Sequence, residues 1–318
     1  MTVIEKFQKK IDPNIKGSNT AKMNVQEIKE LLETIPEAIV FLYRLVDTKN
    51  FVAEDCEVLC RFLLDNYKLF DKIPTITYAG EDGRMCLGWK ALPYRKDSRD
   101  GYPNSKGLDR QAFDEKPLDK ISEKRLAMRI FTQGRQNGKI GIVSGLGYIL
   151  DYEMPIGGSN HLYLINSGDK YVKDDTNYPY GLHVCIPNGL DILFTVGNCD
   201  LIAYNDDSEN FIILELKKPG NEEPLIRTIL EAYTYKRLLN TDKAAESLKD
   251  HYKGIICEYK KLKWSAAPLL SIGGEQYDEF VSAKKKKSAL WRLMKELDIN
   301  PIWYDIDDNM DEIKICDG

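Results

Sequence analysis

The sequence predicts an α/β protein, a mixed β-sheet flanked by helices and preceded by a helical N-terminal region. Three observations predict it. Helical spacing of apolar residues fills roughly the first 70 positions, period-two apolar runs take over near residue 148, and the last third alternates apolar runs with amphipathic patterns. With 318 residues, 43% of them hydrophobic and 10% aromatic, the chain is long enough to bury a large core. The expected regions are a helical part over 1–77, an irregular connection over 78–120 and an α/β domain over 121–318.

Taken in order, Asn24 and Glu27 have capping-box spacing ahead of Ile28, Leu31, Leu32 and Ile35, which recur at helical intervals until Pro36 forces a break. Val58, Leu59, Phe62 and Leu63 begin a second amphipathic run that extends to about Phe70. Gly80, Gly83, Gly101 and Gly107 punctuate a charged stretch with turn chemistry, which marks the boundary. Beyond Ser122, the positions of Glu123, Leu126, Ala127 and Ile130 predict another helix. Strands are expected over Tyr148–Ile156 and Leu162–Ile165. In the C-terminal third, apolar runs at Gly254–Cys257, Pro268–Ile272 and Pro301–Tyr304 alternate with helical patterns such as Ala289–Leu297.

A formal charge of −5 argues against a protein that coats polyanions by bulk electrostatics, so any nucleic-acid contact must be local. Lys260, Lys261, Lys263, Lys284 to Lys287 and Arg292 would form a basic strip for such a contact; the plainer alternative is a solvated helix start. The first residues, Met-Thr-Val-Ile-Glu-Lys, carry no basic run followed by an apolar stretch, and no 18-residue apolar segment follows, so a cytoplasmic protein without membrane contact is expected. Seven scattered cysteines fit reduced thiols, with Cys56 and Cys60 one helical turn apart as core residues. The three histidines form no metal-ligand pattern. Gly145-x-Gly147 lacks a third glycine for dinucleotide binding, and neither a phosphate-cradling Gly-Lys-Ser/Thr loop nor a Gly-x-Ser-x-Gly elbow occurs.

Chemistry concentrates in residues 196–217. Val196-Gly-Asn-Cys-Asp-Leu-Ile-Ala-Tyr204 and Phe211-Ile-Ile-Leu-Glu-Leu-Lys217 flank the polar stretch Asn205–Asn210, which reads as a β-hairpin. Pairing symmetric about that loop sets Tyr204 against Phe211 and Asp200 against Glu215, two carboxylates projecting from one sheet face. Lys217 shares that face with Phe211, Ile213 and Glu215, while Ile212, Leu214 and Leu216 point to the other and into the core. Adjacent carboxylates repel unless a cation lies between them, and hard oxygen ligands on a rigid strand suit Mg²⁺ or Mn²⁺. An ammonium two residues away would orient or help deprotonate a metal-bound water. The plain alternative is a solvated strand end.

Asp200, a spacer, then Glu215-x-Lys217 at the end of an apolar strand resembles the PD-(D/E)XK nuclease superfamily, which includes restriction endonucleases and RecB-like nucleases. The resemblance implies a restriction-endonuclease-like fold, Asp200 and Glu215 as Mg²⁺ (or Mn²⁺) ligands, Lys217 as the catalytic lysine, and hydrolysis of phosphodiester bonds in DNA, with RNA as the other possible substrate. The family also has a helix after the lysine strand. Here Glu222–Tyr235 has helical spacing with Pro224 suited to a first turn, and Arg227, Glu231 and Tyr235 fall on one stripe. RecB-like members carry Gln-x-x-x-Tyr on that helix, whereas this chain has Glu231-x-x-x-Tyr235: the tyrosine matches and the glutamine does not. Glu231, Tyr235 and Arg227 are expected to orient the site or contact phosphate, unless Arg227 and Glu231 are simply a helix pair. An acidic residue on a helix before the sheet is also implied; Glu123 is the positional match and Glu153 its rival. From a different functional class, a binding module for nucleic acid or protein that kept the fold and lost catalysis fits the same text.

Overall fold

A computed structural model describes residues 1–11, 22–46, 51–73, 75, 122–136, 139–155, 162–165, 171–172, 181–186, 190–195, 198–239, 241–256, 262–306 and 313–316. The expected connection over 78–120 lies outside the described residues, as do Lys260 and Lys261 of the basic strip.

The N-terminal part is helical: α1 Val3–Ile11, α2 Val25–Thr34, a 3₁₀ turn over Pro36–Phe41, α3 Leu42–Leu45, α4 Ala53–Asp65 and a second 3₁₀ turn over Tyr67–Lys72. The capping box forms as its spacing predicts. The Asn24 side chain accepts from the Glu27 N–H, and the Glu27 carboxylate accepts from the Asn24 N–H. After α5 (Glu123–Gln133), which the Ser122 hydroxyl caps, short strands β1 Arg135–Gln136, β2 Lys139–Ile140 and β3 Ile142–Val143 lead into β4 Gly147–Pro155. Next come β5 Leu162–Ile165, β6 Tyr171–Val172, β7 Gly181–Ile186 and β8 Leu190–Thr195, then the hairpin strands β9 Asn198–Asn205 and β10 Asn210–Leu216. Helices α6 Leu225–Leu238 and α7 Thr241–His251 precede β11 Lys263–Ser271. Helices α8 Glu275–Lys286 and α9 Ala289–Leu297 precede β12 Ile302–Ile306 and β13 Ile313–Cys316.

A seven-stranded mixed sheet in the order β13-β12-β11-β10-β9-β4-β3 organises the molecule. Strands β10, β11 and β12 run parallel, connected by α6–α7 and α8–α9, and the remaining neighbours pair antiparallel. Strands β5 to β8, between β4 and β9 in the chain, form a separate four-stranded sheet in the order β6-β5-β7-β8.

Both faces of the large sheet are buried, as parallel strands with helical crossovers require. Ile202, Tyr204, Phe211 and Ile213 belong to an apolar cluster with α6, α9 and the N-terminal helices. Leu201, Ala203, Leu214 and Leu216 belong to a second cluster with Leu126, Ile130 and Phe131 of α5. The period-two alternation holds, but the Phe211 side is core as well as the Leu214 side. Helix α6 is correspondingly apolar on nearly every side, because it lies between the sheet and the N-terminal helices.

Three local expectations are corrected. The helix after the lysine strand begins at Leu225, three residues beyond Glu222, with Pro224 as its N-cap. Gly254–Ile256 forms turns with one isolated bridge between Lys253 and Ile256 instead of a strand, and Cys257 lies outside the described residues. Lys284, Lys285 and Lys286 end α8 instead of starting a helix, where cations offset the carbonyl end of the helix dipole, and Lys287 caps it with a positive φ of 50°. Gly145 and Gly147 form the turn into β4. A Cβ on Gly147 would meet the Tyr204 carbonyl oxygen at 2.2 Å, which explains that glycine structurally. Cys56 and Cys60 are buried free thiols.

Candidate active site at the end of the hairpin

The β9–β10 register follows the symmetric count: Tyr204 pairs with Phe211 and Leu201 with Leu214. Strand pairing reaches Asn205 and Asn210, which leaves residues 206–209 as the turn, with Glu209 at a φ of 51°. The β9–β10 ladder ends at Leu201 and Leu214, one position short of Asp200 and Glu215. Beyond that end the Asp200 carboxylate accepts from the Leu216 N–H at 2.8 Å, which sets it beside the strand end that carries Glu215. Asp200 shares the parity of Ile202 and Tyr204, and Glu215 that of Phe211 and Ile213, so both occupy the face covered by α6.

Glu215 and Lys217 are 4% and 5% exposed, which rules out a solvated strand end. Lys217 Nζ donates to Glu215 Oε1 at 2.8 Å and to Glu231 Oε2 at 3.2 Å, and lies 3.6 Å from Glu223 Oε2. Its main chain is equally fixed, the N–H bonding to the Leu269 carbonyl and the carbonyl accepting from the Tyr304 hydroxyl at 2.7 Å. On α6, Tyr235 donates its hydroxyl to Glu231 Oε1 at 3.2 Å. Arg227 pairs with Glu223 at 3.2 Å and donates to the Val46 carbonyl. All three members of the helix stripe therefore reach the site or its edge, and Arg227 does so through Glu223.

The loop between β10 and α6 is pinned from three directions. Asn221 donates to Glu123 Oε1 at 3.0 Å, Gln276 donates to the Glu223 carbonyl at 2.8 Å, and Glu279 accepts from the Leu225 N–H at 2.7 Å. Glu123 thereby sits near enough to act electrostatically on Asp200 and Lys217. The rival Glu153 lies on β4, and its side chain is outside what the structure describes. Glu223, Asn221 and Tyr304 were not singled out from the sequence. Only Glu223 left a signal, as half of an acidic pair beside the helix start.

Burial pushes Asp200 up to about 8, against the pull of Lys217 and the Leu216 N–H. Burial, then the Asp200 and Glu231 charges, push Glu215 well above the usual carboxylate range. Glu231 is also driven up by burial, but Lys217 and Arg227 outweigh that and hold it below its ordinary value. For Lys217, burial favours the neutral amine, yet Glu215, Glu231 and Glu223 reverse this and hold it firmly protonated.

The same contacts decide which residues could hold a metal. Glu215 Oε2 is buried and meets no hydrogen-bond donor, and the neighbouring Asp200 and Glu231 carboxyls disfavour a second negative charge on Glu215 against the pull of Lys217. That donor set, Asp200 and Glu215 with hard oxygens, fits a divalent cation of the Mg²⁺ class, which takes one or two protein carboxylates and keeps its remaining positions for water and phosphate. Among the described residues no group of three or more His, Cys, Asp or Glu side chains is arranged to enclose a metal ion, and an all-protein cage is not what Mg²⁺ requires.

No family model matches the chain, and neither a curated protein nor a solved structure shows a significant match. Among the described residues no helix is long and apolar enough to cross a membrane.

Proposed function

We propose that this protein is a metal-dependent nuclease with a restriction-endonuclease-like fold of the PD-(D/E)XK type, hydrolysing phosphodiester bonds in DNA, in a reducing, cytoplasmic setting. One observation carries the proposal: Asp200, Glu215 and Lys217 meet at one buried strand end, with a Glu215 oxygen left without a donor. The surroundings support it, since α5 with Glu123 precedes the sheet and α6 with Glu231 and Tyr235 follows the lysine strand, as the resemblance implies.

Asp200 and Glu215 would hold Mg²⁺ or Mn²⁺, which when bound supplies Lewis acidity toward a phosphoryl oxygen and a water of lowered pKa. The chain's own residues do the rest. Lys217, surrounded by three carboxylates and held charged, cannot accept a proton; it acts as a fixed cation that orients a nucleophile or offsets charge developing on phosphate. Glu231 and Tyr235 keep that ammonium in place. The exposed Lys284 to Lys287 and Arg292 offer a local contact for the nucleic-acid backbone on an otherwise acidic protein.

Labelled single-stranded, double-stranded and branched DNA, and RNA, incubated with the full chain and Mg²⁺, Mn²⁺ or EDTA, test this directly. Metal-dependent cleavage is expected. Groups that merely support a metal ligand are worth about 10–100-fold, so Asp200→Ala and Glu215→Ala should each cost more than about a hundredfold. Both should also lose the rise in melting temperature that saturating metal gives the wild type. Absence of cleavage on every substrate would refute catalysis, and a melting shift surviving in that case would leave a metal-binding module.

A further inference from the structure

Lys217 and Glu215 are buried, so a phosphate reaches neither unless a covering side chain moves. Of the three carboxylates around Lys217, that of Glu223 is the most exposed, with 21% of its side chain open to water against 6% for Glu215 and 11% for Glu231. Arg227 lies beside it with similar exposure. The Glu223 main chain is fixed, its N–H donating to the Asn221 side-chain oxygen at 2.7 Å and its carbonyl accepting from Gln276 at 2.8 Å. Any movement at this point therefore falls to the Glu223 side chain.

The contacts of that carboxylate match those a phosphate would make. Oε1 lies 3.2 Å from an Arg227 guanidinium nitrogen and Oε2 lies 3.6 Å from Lys217 Nζ, so one two-oxygen anion spans both cations of the site. A phosphodiester carries its single charge in the same form, on two non-bridging oxygens. Both cations also hold donors in reserve. An ammonium has three protons, and Lys217 gives two of them, to Glu215 and Glu231. Among the described residues the third meets only Glu223 Oε2, which at 3.6 Å is beyond hydrogen-bond length and is itself buried without a donor. Arg227 Nε is buried without an acceptor, while Nη1 is spent on the Val46 carbonyl. In the free protein Glu223 spares the two cations from burial without a counter-charge. A phosphate brings its own charge and repels the carboxylate that stands in its place.

We propose that Lys217 and Arg227 form an anion subsite for a phosphate of the nucleic-acid backbone, and that the Glu223 carboxylate fills this subsite in the free protein and is displaced on binding. That the phosphate belongs to nucleic acid rests on the nuclease reading; the subsite itself does not. Glu223 then weakens substrate binding according to the fraction of molecules in which it fills the subsite.

Glu223→Gln in the full chain keeps the shape of the side chain and removes its charge. With saturating Mg²⁺, KM for DNA should fall about fivefold, the worth of a partly exposed ion pair. A residue that only held Lys217 in place would instead lower kcat and leave KM where it was. Glu222→Gln removes the same charge from the exposed neighbouring position and should leave KM as in the wild type. In an Arg227→Met background, where the subsite has lost one cation, Glu223→Gln should no longer lower KM. A KM unchanged or raised in Glu223→Gln, lowered equally by Glu222→Gln, or still lowered without Arg227, would overturn the inference and leave the nuclease reading intact. Should the wild type cleave nothing, the nuclease reading fails by itself, and the subsite is tested with inorganic phosphate in EDTA against chloride at equal ionic strength. Phosphate should then raise the melting temperature of Glu223→Gln at about fivefold lower concentration than it does for the wild type. Equal shifts in the two proteins, or none in either, would refute the subsite.

Discussion

Along β10, Phe211 and Ile213 occupy the same sheet face as Glu215 and Lys217, and all four are buried, yet the two pairs are held in opposite ways. Phe211 stacks on Trp264 with ring centroids 4.5 Å apart and tilts against Tyr204 at 5.3 Å, a contact between uncharged rings. At the other end four carboxylates, Asp200, Glu215, Glu223 and Glu231, face two cations, Lys217 and Arg227. The apolar end carries no charge to balance. The charged end is balanced only by taking up protons or a cation from solution.

Exchanging the losses between the two ends should separate folding from function most sharply. Phe211→Ala should cost about 3–5 kcal/mol in urea unfolding, with metal-dependent cleavage per folded molecule unchanged. Lys217→Ala should lower cleavage by more than about a hundredfold even with metal saturating. It should also leave Mn²⁺ binding in place, because both proposed ligands remain. Stability should fall too, by about 3–5 kcal/mol near pH 8, since Glu215, Glu231 and Glu223 lose their shared partner. Full activity in Lys217→Ala would remove that side chain from the mechanism.

The two ends also differ in how much of them the sequence discloses. The hairpin is local: a polar loop between two apolar runs sets the register by symmetry as far as Leu201 and Leu214, and Asp200 follows at the strand end that carries Glu215 and Lys217, where it accepts from the Leu216 N–H. The stripe on α6 is legible for the same reason, through helical spacing. What surrounds these residues is not. The start of α6 depends on Glu279, 54 positions away, accepting from Leu225, so the spacing of Glu222 and Glu223 alone misplaces it. A shift of register between β4 and β9, at Ile149/Asp151, leaves no trace in the alternation. Tyr43 sits within the apolar stretch from Ala38 to Val46 and reads as core, and only the packing of α3 on α6 brings it to Tyr235. Burial on both sheet faces was hidden likewise, because Glu215 and Lys217 break the apolar run that would announce it.

Titration should sharpen the contrast next. In metal-free protein Asp200 is pushed up to about 8, from 3.8 in an open chain. Between those values the native state holds a proton that the unfolded chain releases. The contribution of this group is therefore full below about pH 4 and is lost as pH rises through about 8, and Glu215 acts in the same direction. Metal-free wild type should lose melting temperature steadily from pH 5 to 8, and Asp200→Asn should flatten that slope. Mg²⁺ should bind more tightly at pH 8 than at pH 6, because binding must first expel the proton. Parallel melting profiles for wild type and Asp200→Asn would mean that the carboxyl is ionised throughout. Phe211→Ala, in contrast, should lower the whole profile without changing its shape.

Glu231→Gln should give the smallest effect, and its direction is set by which oxygen meets which donor. In the wild type Oε1 receives the Tyr235 hydroxyl and Oε2 receives Lys217 Nζ, so both acceptors are used. A glutamine has one oxygen and one NH₂, and the ammonium of Lys217 can only donate. The amide oxygen must therefore turn to Lys217 and the NH₂ to Tyr235, whose hydroxyl reverses to accept. Lys217 keeps a partner but exchanges a charge-assisted bond for a neutral one, worth about 1 kcal/mol or about a fivefold fall in kcat. A fall as large as that of Lys217→Ala would show instead that the Glu231 carboxylate is needed as a charge, and would place it beside Asp200 and Glu215 as a third acidic contact to the metal.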